Sequence, residues 1–324
     1  MKKNIPRFLT WVPAIVVFFL GAAAAFAQTP YPSRPVRLLT AGFGGGSDIA
    51  SRIIAPPLAA ALGQPVVVDS RVGGAIIADV AAKAYPDGYT LMLYSASLWI
   101  LPLMQDTPAY DPFRDFAPIT LVGSSPLVLV VHPSVPAKSV KELIALAKAK
   151  PGEINSATGP RGATPHLASE LFKAMAGIDI VHIAYRGVGL AVIDVIGGRI
   201  QMMLPNAGAA IPHMKSGKLR GLAVGSAQPS PVVPGLPTIA ASGLPGYECV
   251  TSYGVFAPAG IPAPLVKRLS AEIVRILHGA DVKEKLLSTA TEAIGSSPAG
   301  LTAHMKSESA SLGKVIKAAG IRAE

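Results

Sequence analysis

The stretch TAGFGGGSDIASR, Thr40 to Arg52, sets Gly44, Gly45 and Gly46 in a row between an apolar strand and the start of a helical pattern. Amide N–H groups at a helix start have no intrahelical acceptor, and the helix dipole adds partial positive charge there. Glycine lets a ligand approach that backbone closely. The combination is an anion cradle. The competing reading is a tight strand-to-helix turn capped by Ser47 or Asp48, both favoured cap types, but three glycines exceed what a cap requires. A second stretch of this kind is SATGPRGATPHLASELF, Ser156 to Phe172. It passes Gly159, Arg161 and Gly162 and predicts Thr164 as the N-cap with Pro165 at the first helical position, where proline loses nothing. A third, HIAYRGVG, ends a strand in Tyr185 and Arg186, where open α/β sheets place their ligand sites.

Other chemistries fit less well. Gly42 and Gly44 follow a strand and Asp69 ends the next one, as in a dinucleotide fold. The third position of the glycine fingerprint falls on Ser47, however, and Asp69 lies too far along. The histidines, His132, His166, His182, His213, His278 and His304, are scattered without a dense ligand spacing. Ser47 beside Asp48 has no assignable histidine base. Few aromatics and no basic stripe argue against nucleic acid. Neither a metal, a cofactor nor a catalytic residue is expected.

Short β-branched runs alternate with helical patterns, which argues for α/β sheets with parallel strands. Strands are predicted at Val36–Thr40, Pro65–Asp69, Tyr89–Ser95, Leu127–His132, Ile180–Tyr185, Ile200–Leu204, Gly221–Gly225 and Val250–Ala257. Helices are predicted at Asp48–Leu62, Ile76–Ala84, Val140–Lys148, His166–Ala176, Gly189–Ile196 and Ala209–Lys215. After Ala263 only helices are expected: Ala263–Leu277, Ala280–Ala290 and Pro298–Ala318. Pro56-Pro57 should kink the first helix or divide it in two.

Lys2, Lys3 and Arg7, an uncharged apolar stretch and the exit Ala25-Phe26-Ala27 have the form of a cleaved secretory signal peptide, residues 1–27. The remaining roughly 300 residues suit two lobes. Lys plus Arg is 29 against 19 Asp plus Glu, which weakly favours anionic ligands. The lone Cys249 cannot form an internal bridge and reads as a buried thiol.

Many ordered segments, among them YPSRPVRLLTAGFGGGSDIASR, AYPDGYTLML, PHLASELFKAMAGIDIVHIAYRG, LPTIAASGLPGYE and VFAPAGIPAPLVKRL, strongly resemble the Bug-type family. These are periplasmic solute-binding proteins, the receptor component of tripartite tricarboxylate transporters, and the resemblance runs from about Tyr31 to the C-terminus. It implies an α/β, two-lobed type II periplasmic-binding-protein fold with a Venus-flytrap hinge. Residues 28–125 plus 251–324 would form one lobe and 126–250 the other, joined near Gly123–Pro126 and Tyr247–Ser252. The implied role is a monomeric shuttle that delivers a small carboxylate to membrane transporter subunits.

Carried over, the family's first ligand loop falls on Ala41, Phe43, Gly44, Gly45, Gly46, Ser47 and Asp48. The second falls on Thr158, Gly162, Ala163, Thr164 and His166, and a tyrosine-basic-glycine turn on Tyr185 and Arg186. Ser95 and Ser97 are further candidates at a strand end. Main-chain amides and helix starts are expected to hold the carboxylate, with Asp48 and Thr164 organising the loops. Departures from the family pattern cluster at the expected cleft. Thr40-Ala41 replaces proline-phenylalanine, Ser252 followed by Tyr253 replaces an aromatic, and Pro205 beside Asn206 replaces an acid, so ligand identity does not transfer. The alternatives are an exported α/β enzyme acting on a carboxylate, and a loaded receptor that contacts a sensor protein.

Overall fold

Alternating apolar residues in short β-branched runs fold into two mixed sheets. In the computed structural model the described residues are 31–42, 45–71, 74–159, 163–318 and 320–322. The signal-peptide segment and the cradle residues Phe43, Gly44, Arg161 and Gly162 lie outside them. Contacts divide the chain into residues 1–33 and residues 34–324, and the elements below belong to the second unit.

The first sheet begins with β1 (Val36–Ala41), α1 (Gly46–Leu62), β2 (Val66–Arg71), α2 (Gly74–Ala82) and β3 (Thr90–Ser95). A short helix α3 (Ser97–Ile100) and β4 (Phe116–Pro126) follow. The chain then enters the second sheet through β5 (Val128–Val131), α4 (Val140–Ala149), β6 (Asn155–Thr158), α5 (Thr164–Ala176) and β7 (Val181–Ala184). It continues with α6 (Val188–Ile196), β8 (Met202–Met203), α7 (Ala207–Lys215) and β9 (Arg220–Val224). It returns as β10 (Val250–Pro258), α8 (Ala263–Leu277), α9 (Ala280–Ser288), β11 (Glu292–Ala293) and α10 (Pro298–Ala318).

The strand orders are β11-β4-β10-β3-β1-β2 and β7-β6-β8-β5-β9. Parallel pairing joins β1 to β2 and β3, and β6 to β7 and β8. Beside this expected parallel pairing, β10 runs antiparallel to β3 and β4, and β5 antiparallel to β8 and β9. The reason is topological. A strand that returns from the other sheet needs no crossover helix, so it is free to pair antiparallel.

Burial follows the period of each element. In β5, Leu129 and Val131 join a core with Leu143, Phe172 and Tyr247. Val128 and Val130 face the opposite way into a core with Val192, Val195 and Met203. A strand packed on both faces in this manner must be apolar throughout. The first sheet packs Leu39, Met92, Trp99, Leu121 and Phe256 together, each worth about 1.5–3 kcal/mol when fully buried.

Three expectations need correction. Of the two outcomes expected at Pro56-Pro57 the division does not occur, because α1 stays one 17-residue helix through both prolines. Its buried stripe is Ser51, Ile54, Ala55, Leu58 and Leu62, while Pro56 is exposed and Pro57 half-buried. The carbonyls deprived of donors therefore lie toward water, where the loss is cheapest. The end of the chain is not purely helical, since β11 pairs with β4 between α9 and α10. Finally, Thr164 is not the cap of α5; Ala163, extended at φ −69 and ψ 153, takes that place and Thr164 becomes the first helical residue.

Candidate functional site

Strands β1, β6, β7 and β8 each run into a loop and then a helix, so the starts of α1, α5, α6 and α7 follow strand C-terminal ends. Three of those starts line one cavity of about 140 Å³: Gly45 and Gly46 from α1, Val188 from α6, and Asn206, Gly208 and Ala209 from α7. Ile49, Tyr253, Ser288, Thr289 and Thr291 complete the wall. The cavity thus draws on helix starts belonging to both sheets. None of the three N-caps, Gly45, Gly187 and Asn206, makes a side-chain cap hydrogen bond. The first-turn amides therefore receive no acceptor from their cap side chains, which favours an anion in that place.

Gly46 is required by the packing. A Cβ there would lie 1.8 Å from the Tyr253 hydroxyl and 2.9 Å from Asn206 Nδ2. Asn206 Nδ2 donates to Tyr253 Oη at 3.0 Å, so a neutral amide and a phenol from opposite sheets meet over the α1 start. Burial pushes the Tyr253 phenol above its ordinary range and the Asn206 bond only partly offsets it. The hydroxyl stays protonated and adds no negative charge to the cavity.

Ser47 and Asp48 lie inside α1 and do not cap it. Asp48 is buried; its carboxylate accepts from Arg52 Nε at 3.1 Å and from the Ser70 hydroxyl. Its charge is thereby spent on tying α1 to β2. Asp69, the residue a ribose would need, is held by Arg37 and Arg71. Burial raises its pKa, but the two guanidinium groups outweigh this and hold it below the ordinary carboxylate value.

The other predicted residues are distributed as follows. Gly159 packs beside the cavity, since a Cβ on it would sit 3.5 Å from both Ala163 Cβ and Val188 Cγ2. The described part of the second loop therefore adjoins the same wall. Thr158 donates to the Gly159 carbonyl at 3.1 Å. Thr164 is buried and its Oγ1 has no partner among the described residues. Tyr185 gives its hydroxyl to Asp194 at 2.6 Å and its amide N–H to the Thr158 carbonyl at 3.1 Å, and burial with the Asp194 bond raises its phenol to about 12. Arg186 is exposed. Ala41 and Ser95 end β1 and β3, and Ser97 opens α3 with a buried hydroxyl that has no partner among the described residues.

Ser252 departs from expectation. It is fully buried, with its hydroxyl 2.9 Å from His304 Nε2, whereas Tyr253 fronts the cavity. Successive strand residues point to opposite faces, so only one of the pair can reach the site. One further cluster escaped the sequence. His166 and Thr158 share a larger cavity of about 490 Å³ with Glu170, Lys173, His182 and Arg322. There His182 Nδ1 lies 2.7 Å from Glu170 Oε1 and His182 Nε2 lies 3.0 Å from Ser169 Oγ. Burial works to raise the Glu170 pKa; His182, His166 and Lys173 outweigh it and keep the carboxylate ionised.

Among the described residues no helix is long and apolar enough to cross a membrane. The model of the tripartite tricarboxylate transporter family receptor matches residues 50–321. Protein BugT of Bordetella pertussis is 38% identical over 287 residues, 87% of this chain and 87% of its own length. A structure of R. palustris Rpa4515 with adipate superposes with a TM-score of 0.84 at 35% identity, covering 90% of this chain and 99% of that one. MatC from Rhodopseudomonas palustris, with bound malate, gives 0.83 at 26% identity over 88% of this chain and all of the other. With the fold, the helix starts and the match in agreement, the chain belongs to the tripartite tricarboxylate transporter receptor family.

Proposed function

We propose that the chain is an exported receptor that closes two lobes on a small organic carboxylate and passes it to tripartite transporter subunits in the membrane. The lobes would be residues 28–125 with 251–324, and residues 126–250, hinged at the end of β4 and the start of β10. The observation that carries the reading is the convergence of uncapped helix starts from both sheets on one cavity. Oriented amides neutralise a carboxylate without burying a guanidinium against it, so the ligand remains releasable, as a shuttle requires. The adipate and malate held by the two relatives make aliphatic dicarboxylates the first ligands to try. Export would proceed through the signal peptide at residues 1–27.

An enzymatic alternative has a specific geometric obstacle. Ser169, His182 and Glu170 stand in the order nucleophile, base and acid, but Ser169 is fully buried and shares its hydroxyl with Ser156 at 2.7 Å. A substrate carbonyl has no approach to it.

The test is a melting-temperature series with mono- and dicarboxylates. A true ligand at about 100 times its Kd adds about 2.7 kcal/mol by mass action, a rise of several degrees. Gly46→Ala places a methyl group where the Tyr253 hydroxyl lies and should cut the response at least tenfold in ligand concentration. A full response in that variant would remove the α1 start from the site, and turnover of any carboxylate would favour the enzyme.

A further inference from the structure

The ligand cavity leaves one group of side chains unexplained. α5 carries His166 and Glu170 four residues apart, hence on one face of the helix, and β7 brings His182 up against them. Glu170 Oε1 lies 2.7 Å from His182 Nδ1 and 3.6 Å from His166 Nε2, and the two imidazoles meet edge to face with centroids 5.8 Å apart. One carboxylate oxygen and two ring nitrogens therefore fall within 4.8 Å of one another. A single ion of ordinary zinc–ligand bond length, about 2.0–2.2 Å, reaches all three with side-chain adjustment alone.

The surroundings are those of a ligand set. His182 has a second partner on its far nitrogen, Ser169 Oγ at 3.0 Å, and Ser169 is in turn 2.7 Å from Ser156 Oγ. A hydroxyl accepts as readily as it donates, so with a metal bound Ser169 can accept a hydrogen bond from the His182 Nε2–H and donate its own to Ser156. Nδ1 is then left as a lone-pair donor, the outer-sphere arrangement that fixes a metal-binding imidazole. On the other side the group opens on the cavity of about 490 Å³, which leaves a coordination position for water or an anion. The two cations on that wall are engaged elsewhere: Lys173 with Asp179 at 3.1 Å and the Ile180 carbonyl at 2.9 Å, and Arg322 with Asp106 at 2.6 Å.

We infer that His166, Glu170 and His182 form a binding site for one borderline divalent cation of the zinc class, with an open position toward the cavity. Two imidazoles and one carboxylate suit zinc, cobalt(II) or nickel rather than magnesium or calcium, which prefer oxygen ligands. The inference does not depend on the carboxylate reading, because the site lies on α5 and β7 and can be measured without an organic ligand.

Chelator-stripped full-length protein titrated with cobalt(II) should show a visible d–d band that saturates at one equivalent. Zinc should displace it at one equivalent, with no thiolate charge-transfer band because Cys249 is buried. Glu170→Gln retains an acceptor for His182 and should weaken zinc by about 100-fold while leaving the metal-free melting temperature in place. Ser169→Ala, which removes the outer partner of His182 together with the Ser156 bond, should cost about 10-fold. Absence of the band in the wild-type protein overturns the site whatever the variants do, and so does a one-equivalent affinity that Glu170→Gln and His166→Asn both leave unchanged.

Discussion

Glu308 is a residue whose burial changes its chemistry within the physiological pH range. It lies on α10 with only a fraction of its side chain exposed, accepting from Trp99 Nε1 at 2.8 Å. Burial, reinforced by the Glu248 charge and opposed by the Trp99 bond, pushes its carboxyl up to about 7. A carboxyl whose pKa is raised by folding binds its proton more tightly in the native state, so its contribution is complete at acid pH and lost as pH rises from the ordinary carboxylate value to about 7. Nearby His304, 3.5 Å from Glu308 Oε2 and shifted down by burial, disfavours the acid end instead, so only a difference measurement isolates Glu308. Glu308→Gln should match the wild type in chemical denaturation at about pH 4 and exceed it by on the order of 3 kcal/mol at about pH 8. A pH-independent difference would show that Glu308 titrates normally. None of this was visible in the sequence, where an acid in an amphipathic helix reads as solvated. Gly45, Gly46 and Asn206 line the cavity; the two glycines were expected from bare backbone at a helix start, and Asn206 only from the family resemblance. Tyr253 was missed in favour of its neighbour Ser252 because facing depends on register, and β10 carries irregularities on both sides of Gly254. The pair His166 and Glu170 could have been found from its four-residue spacing; His182 could not, since only the β6–β7 pairing brings it there.

At the scale of elements, periodicity recovered the helices closely, and α8 and α10 match their expected bounds residue for residue. α8 shows why, with Leu269, Ser270, Ile273, Ile276 and Leu277 on one buried stripe. The failure was β4, an 11-residue strand holding Pro118, Gly123 and Pro126, three residues that ordinarily argue against a strand. Tertiary pairing overrides them. Gly123 is needed there, because a Cβ would lie 2.1 Å from the Glu292 carbonyl oxygen of the adjoining β11. α4 is the counter-example in which a local signal suffices: the Ser139 hydroxyl accepts from Glu142 N at 3.2 Å, and Glu142 reaches back to Lys138 N at 2.7 Å. Ser139→Ala should cost about 1 kcal/mol of stability and Ser139→Asp nearly nothing. Equal denaturation midpoints for Ala and wild type would mean that packing alone defines that end of α4.

At the scale of the whole molecule, the two sheets meet where Leu127, Gly225 and Cys249 stack their backbones. Gly225 N donates to the Leu127 carbonyl and Cys249 N to the Gly225 carbonyl, each at 2.8 Å. A Cβ on Gly225 would stand 2.5 Å from the Cys249 carbonyl oxygen, so Gly225→Ala must part these strands. Its melting temperature should fall by an amount equivalent to about 1–3 kcal/mol, the usual cost of overpacking; an unchanged value would show that the junction yields freely. Leu312 of α10 packs against the cores of both sheets, so the last helix also spans that junction.

The position of β10 has a consequence for biogenesis. It is wedged between β3 and β4, yet about 125 residues of chain separate it from β4. Until it emerges from the ribosome, β3 and β4 have no common neighbour and the first sheet exists only as fragments. Contacts this distant in sequence close slowly. A polypeptide built in this order keeps its first sheet unfinished for most of its synthesis, a state compatible with the export proposed above.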